Sequence, residues 1–389
     1  MNRIYLDYSA TTPLDPRVLE AMVSAFGADF GNASSVHSFG REARANLERS
    51  RESVARSIGA KSDEVFFTSG GTEADNHAIK GLAAAAVRKG KNQVITSAVE
   101  HHAVLHSVES LRKAGLEVTL LPVDSHGMVH PEELRRAITT KTGFISLMYA
   151  NNEIGTLNDI REIGTIAREA GIPFHSDTVQ AVGKIKVDVN ELNLDVLAIS
   201  AHKFYGPKGI GAIFIRKGTQ IDSFMEGGGQ ESNRRAGTEN IPSAAGFAKA
   251  LELSQEEMEK NLSHVGALKK SLQARLEHEF KGLLVNGHPT LSLPHILNVS
   301  FDPMVVSVDG DALIMGLDLR GVAVTSGSAC TSGSLQPSHV LMAIGRTQQT
   351  ARSTIRFSIG IRTTQEELDY AVSALKEVMA TAGTAAIPK

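Results

Sequence analysis

A lysine, an aspartate, a cysteine and a glycine pair stand in this 389-residue chain where chemistry could be done. Lys203 lies in LDVLAISAHKFYGPKGIGAIFIR, between an apolar run that reads as a strand and a glycine-rich hairpin. An amine held against an apolar wall loses part of its preference for the charged form and gains nucleophilicity. Ser200 and His202 flank it with groups that can donate to a phosphate. One strand–helix–strand unit earlier, IPFHSDTVQAVGK ends a strand on Asp177, with Gln180 three residues on. EVFFTSGGTEADNHAIKG runs strand, small-residue turn, helix. There Gly70 and Gly71 admit close backbone approach, and Thr72 opens a helix whose free N–H groups favour an anion. Cys330 is the only cysteine, and VTSGSACTSGSLQPSHVLMAIG surrounds it with Ser, Gly, Ala and Thr. A structural cysteine sits among hydrophobes. A thiol in a polar, glycine-punctuated loop is expected to be accessible and to swing in and out of a pocket.

Each feature also has an ordinary reading: a solvated lysine, a capped turn, a small buried thiol. Together they are the parts that pyridoxal phosphate (PLP) chemistry needs. A lysine forms the Schiff base, a carboxylate keeps the pyridine nitrogen protonated, and donors hold the phosphate and the ring hydroxyl. Further on, STIRFSIG alternates Ile355, Phe357 and Ile359 with Arg356 and Ser358. Arg356 is thereby presented from a strand as a clamp for a substrate carboxylate. Arg352 has the same parity and is its rival.

Other chemistries find less support. No GxGxxG follows a strand and no GxxxxGK[ST] occurs, which removes the usual signs of dinucleotide and P-loop binding. HHAVLH places His102 and His106 four apart but without HExxH, so no metal ligand is assigned. The 40 basic and 43 acidic residues give a net charge of −3, no reason to expect nucleic acid or an anionic membrane as partner. The opening MNRIYLDYSATTPLDP reads as mature protein starting in a strand, and no apolar run approaches about 18 residues. A single cysteine excludes an intrachain disulfide and fits a reducing cytoplasm.

These residues need a frame. Between about residues 60 and 215, β-branched runs at 64–68, 93–97, 117–121, 142–149, 173–176, 196–200 and 212–216 alternate with helical patterns at 72–89, 103–114, 131–137 and 160–170. Such alternation predicts an α/β fold with a parallel, doubly wound sheet, whose ligands bind outside the carboxyl ends of the strands. The site candidates by position are therefore residues 69–72, 100–102, 150–152, 177 and 201–203. A charge-rich helical stretch over about 242–280 is long enough to bridge two domains. Shorter strands follow at 295–301, near 322–325 and at 354–359. The expected division is a large domain at 15–255, and a smaller α+β domain at 1–14 and 256–389 that carries the cysteine loop.

YLDYSATTPLDPRV, FGNASSVHSFGREAR, TSGGTEADNHAIKG, VEHHAVL, NNEIGT, DTVQAVGK, SAHKFYGPKGIGA, RRAGTEN, GSACTSGS and IRFS occur in that order along nearly the whole length. In this the chain resembles the cysteine desulfurases of the nitrogen-fixation and iron–sulfur-assembly type. Those are fold-type I PLP-dependent transferases of the class V aminotransferase group. The resemblance implies a large domain with a mostly parallel seven-stranded sheet. It makes Lys203 the Schiff-base lysine and Asp177 the partner of the pyridine nitrogen. His101 would stack on the ring and shuttle protons, Gln180 would contact the ring hydroxyl, and Asn152 would lie beside ring and substrate. Thr72, Ser200 and His202 would hold the phosphate, with Thr238 reaching in from the second subunit of a homodimer. Arg356 would clamp the carboxylate and Cys330 accept the sulfur.

Two departures from the family pattern stand out: Asn-Ala-Ser-Ser at 32–35 where Asn-Pro-Ser-Ser is common, and an end at AAIPK without the long scaffold-docking tail. The expected activity turns L-cysteine into L-alanine, with Lys203 or His101 taking the α-proton. Cys330 would hold the sulfur as a persulfide for an iron–sulfur scaffold or another acceptor. Rival readings are an aminotransferase or selenocysteine lyase on the same frame, and a non-catalytic sulfur carrier.

Overall fold

Seven short apolar runs assemble the central sheet: β2 (Val65–Thr68), β3 (Gln93–Ser97), β4 (Glu117–Leu121), β5 (Thr142–Ser146), β6 (Phe174–Asp177), β7 (Val196–Ser200) and β8 (Gly211–Ile215). The computed structural model describes residues 3–28, 30–326 and 337–382. Within the sheet the order is β2-β8-β7-β6-β5-β3-β4. All but the edge strand β4 are buried along their whole length. Helices cover both faces, which is why these strands read as continuous apolar runs and not as alternations.

The sheet is mostly parallel. β8 runs against both neighbours, Ser200 pairing with Gly211 and Thr68 with Gly211 from the other side. Only ten residues separate Ser200 from Gly211, too few for a crossover helix, so the return must be antiparallel. The expected strand at 142–149 ends as β5 at Ser146. Beyond it the chain turns back through the Ala150–Leu157 bridge.

The bridging stretch is two helices, Ile241–Glu256 and Met258–Glu279, parted at Glu257. Glu257 accepts from Arg17 Nη1 at 2.6 Å. Phe247 and Leu251 of the first helix join the core around the large sheet. Leu272 and Leu276 of the second join another core with Leu6, Phe301, Leu317, Phe357 and Leu375. That core backs an antiparallel sheet of β9 (Leu283–Asn286), β10 (Ile296–Phe301) and β12 (Thr354–Ser358), in the order β12-β10-β9. The N-terminal strand β1 (Ile4–Tyr5) joins this part of the molecule by parallel pairing with β11 (Val322–Ala323).

Cys330 lies outside the described residues. The chain on either side of it is tied down: Arg356 N donates to Thr325 O at 2.6 Å, and Ser338 Oγ to Glu153 Oε2 at 2.5 Å. Among the described residues no helix is long and apolar enough to cross a membrane.

Candidate active site

The carboxyl ends of the central strands deliver their next residues to one place. β6 ends on Asp177. β7 runs into a one-turn 3-10 helix, Ala201–Lys203, that displays His202 and Lys203. β2 leads into the helix Gly71–Arg88, and the loop after β3 places His101 at the start of the helix His102–Lys113. With Asn152, Gln180, Ser200 and Arg356 they line a cavity of about 260 Å³. Among the described residues, every residue given a role by the resemblance meets there except Thr238. Thr238 is exposed and lies away from the cavity of its own chain. Its loop is anchored beside the Gly71 helix by Arg235, whose Nε donates to Glu73 Oε1 at 2.8 Å.

One end of the cavity is built for an anion. The helix Gly71–Arg88 starts without a side-chain cap, so its first N–H groups have no helical acceptor. Gly71 is packed so closely that a Cβ there would fall 2.7 Å from Val179 Cγ2 and 3.5 Å from Ser200 Cβ. Thr72, Ser200 and His202 add side-chain donors. His202 Nδ1 lies 3.1 Å from Thr11 Oγ1, and burial pushes its pKa down to about 4.

The middle of the cavity is acidic and dry. Ligand atoms of Asp75, His101 and Asp177 all lie within 4.8 Å of one another. Burial raises Asp177 to about 6, against the pull of the Val179 N–H and the Lys203 charge. Burial, with the Asp177 and Glu100 charges, holds Asp75 well above the carboxylate range. A buried carboxyl pair beside an imidazole is a fitting partner for a heterocyclic ring nitrogen. His101 Nδ1 accepts from Ala103 N at 3.1 Å, leaving the neutral ring's proton on Nε2. Burial, then the Lys203 charge, depresses His101 to about 4.

Glu100, behind His101, is fully buried. Its Oε1 accepts from Ser97 Oγ at 2.6 Å and Met148 N at 3.0 Å, and burial pushes its pKa up to about 8. His175 stands behind Asp75, its Nε2 3.5 Å from Asp75 Oδ1.

The basic groups are held from the N-terminal segment. Lys203 Nζ donates to Ser9 O at 2.6 Å and to Ala10 O at 2.9 Å. Arg356 is buried on β12; its Nη1 donates to Asn152 O at 2.7 Å and its Nη2 to Asp7 Oδ1 at 2.9 Å. Its rival Arg352 ends the exposed side of a short helix outside the cavity. The His102 and His106 rings are tilted with centroids 4.9 Å apart, and the His339 ring centroid lies 4.8 Å from that of His102. They form no compact ligand set among the described residues.

The chain matches the model of the family "Aminotransferase class-V" over residues 4–371, which spans both cores and the whole cavity. It belongs to the class-V aminotransferases. Within them it is 50% identical to the cysteine desulfurase IscS of Dictyoglomus turgidum, covering 97% of this chain and 94% of that one. It is 45% identical to the cysteine desulfurase IscS of Methanosarcina thermophila, covering 97% and 92%. A solved NifS-like protein superposes with a TM-score of 0.91 at 36% identity, covering 98% of this chain and all of that one. In this class-V aminotransferase, sequence reasoning missed Ser9, Asp75, Glu153 and His339 as lining residues. Asp75 and Glu153 stand within motifs quoted for the resemblance, so their presence there was the available signal. Ser9 stands in the first of those motifs too, but its part is played by a backbone carbonyl.

Proposed function

We propose that this protein is a PLP-dependent cysteine desulfurase that converts L-cysteine to L-alanine and carries the sulfur as a persulfide on Cys330. The observation that supports it most is the cavity itself. A lysine stands there beside a buried carboxylate, an anion cradle lies at one end, and a buried arginine is bonded to Thr325, just before the cysteine segment. The donor set fits PLP. Thr72, Ser200, His202 and the start of the Gly71 helix would hold the phosphate, Asp177 would partner the pyridine nitrogen, and Gln180 would contact the ring hydroxyl. Lys203 is the covalent anchor, and Thr238 completes the phosphate site of the other subunit in a homodimer. When bound, PLP supplies an electron sink for negative charge at the substrate's α-carbon.

Arg356 holds the substrate carboxylate and sets its orientation, with Asn152 alongside. Lys203 Nζ or His101 would take the α-proton, and His101, with its proton on Nε2, would move protons within the site. The Cys330 thiolate attacks the substrate sulfur. The new S–S bond forms as the substrate's Cβ–S bond breaks, and the carbon takes up a proton on its way to alanine. The persulfide then passes to an iron–sulfur scaffold or another acceptor protein in the cytoplasm. Residues 15–255 form the PLP-binding domain, and 1–14 with 256–389 form the domain that carries Cys330.

Mass spectrometry after incubation with L-cysteine tests this reading. One added sulfur mapping to Cys330 is expected, and it disappears in Cys330→Ala, which keeps the Schiff-base absorbance. Undiminished sulfide release from Cys330→Ala would overturn the persulfide route.

A further inference from the structure

Lys184, a second lysine close behind the cavity, takes no part in the chemistry above. Its Nζ donates to Gln180 Oε1 at 2.9 Å and lies 2.9 Å from His295 Nε2. Gln180 Nε2 in turn donates to Ser9 O at 2.9 Å, the carbonyl that also receives Lys203 Nζ at 2.6 Å. A continuous chain of hydrogen bonds therefore runs from His295, at the head of β10, through Lys184 and Gln180 to the lysine of the cavity.

A carboxamide has two ends of nearly equal shape, one accepting and one donating. Which end faces which way is decided by its partners. Ser9 O can only accept, so it takes the Nε2 end, and Lys184 donates to the Oε1 end. With Lys184 in place, flipping Gln180 would set donor against donor and acceptor against acceptor. Without it, only the Ser9 carbonyl, already engaged by Lys203, would hold the orientation. Burial first, then the charges of Lys203 and Arg356, push Lys184 well below the ordinary lysine range.

We propose that Lys184 is a positioning residue: it locks the Gln180 carboxamide with its N–H end toward the cavity, so that Gln180 meets the cofactor's ring oxygen as a donor. The assignment rests on the PLP reading above.

The test is a double-mutant cycle on PLP affinity, measured by equilibrium dialysis and by the visible absorbance of the bound cofactor. Lys184→Met is expected to weaken PLP binding about tenfold, the usual worth of one such hydrogen bond, and to shift the absorbance maximum. Introduced into Gln180→Ala, the same change is expected to alter affinity less than about twofold, because the group it orients is gone. Lys184→Gln, which keeps a donor, should recover most of the affinity. KM for cysteine should stay within about twofold of wild type, since Arg356 is untouched, while kcat falls.

Equal losses in both backgrounds would overturn the proposal, because a merely structural lysine acts independently of Gln180. So would wild-type affinity in Lys184→Met. Melting of the cofactor-free variants shows whether each is folded, and Lys184→Ala replaces Lys184→Met in the cycle if the latter is not. A wild-type chain that bound no PLP would sink the functional reading itself, an outcome distinct from a normal wild type with an indifferent Lys184→Met.

Discussion

Arg356 Nη2 and Asp7 Oδ1 meet at 2.9 Å although 349 residues separate them in the chain. The pair ties the arginine of β12 to the N-terminal segment that also supplies the Ser9 and Ala10 carbonyls to Lys203. Arg356 and Lys203 are thus registered against the same stretch of backbone.

Arg356→Lys keeps the charge but cannot bond Asn152 O, Asp7 and a carboxylate at once with a planar fork. KM for cysteine should rise about 10- to 100-fold with a smaller change in kcat. Arg352→Lys should leave KM within about twofold. Steady-state kinetics of the two variants side by side decides between the rival arginines.

Gly71→Ala inserts a methyl that would lie 2.7 Å from Val179 Cγ2, and Val179 lines the cavity. The neighbouring side chain must move into the space for the phosphate. PLP affinity should fall at least about tenfold while the cofactor-free protein keeps its secondary structure, as dialysis and circular dichroism would show. Unchanged affinity would mean that the phosphate is not held at the start of this helix.

Glu100 gives a pH dependence with a definite sign. Its folded pKa of about 8 lies above the ordinary glutamate value of 4.5, so the folded state binds this proton more tightly than the unfolded chain. Its stabilising contribution is complete below the unfolded pKa and drains away as pH rises toward and through about 8. Glu100→Gln mimics the protonated acid and has no proton to lose. In the cofactor-free protein, the melting temperature of the variant relative to wild type should therefore climb between pH 5 and pH 8.5. Parallel curves across that range would show that the carboxyl ionises without penalty.

His101 is neutral well into the acid range because burial holds it near 4 in the cofactor-free protein. His101→Gln keeps a hydrogen-bonding side chain but cannot exchange a proton. Its kcat should drop about 10²- to 10⁴-fold, the span expected for a lost acid–base group, with PLP still bound. A stopped-flow trace of the bound cofactor after cysteine is added should show the slowed step directly.

Much of this was legible in the chain alone, because it is written locally. Short runs rich in apolar and β-branched residues locate all seven strands of the large sheet, since most of these strands are buried on both faces. β3, β4 and β7 have the expected bounds. Residues at strand ends mark the cavity because the topology of a doubly wound sheet leaves its crevice there. Lys203, Asp177 and the Gly70–Gly71 turn were found in that way, and the two-residue period of β12 picked out Arg356.

What the sequence left open depends on partners far along the chain. Neither the pairing of β8 with β2 nor the ion pair between Glu257 and Arg17, 240 residues apart, can be read from local sequence. No period or motif tells that Glu100 and Asp75 are enclosed deeply enough to favour their neutral forms. That requires knowing every element packed around them, since the cost of a buried charge is set by surroundings and not by neighbours in sequence. Lys184 is the plainest case. In the sequence it is a lysine after a glycine; in the fold it joins Gln180 to His295, which stands 111 residues further on.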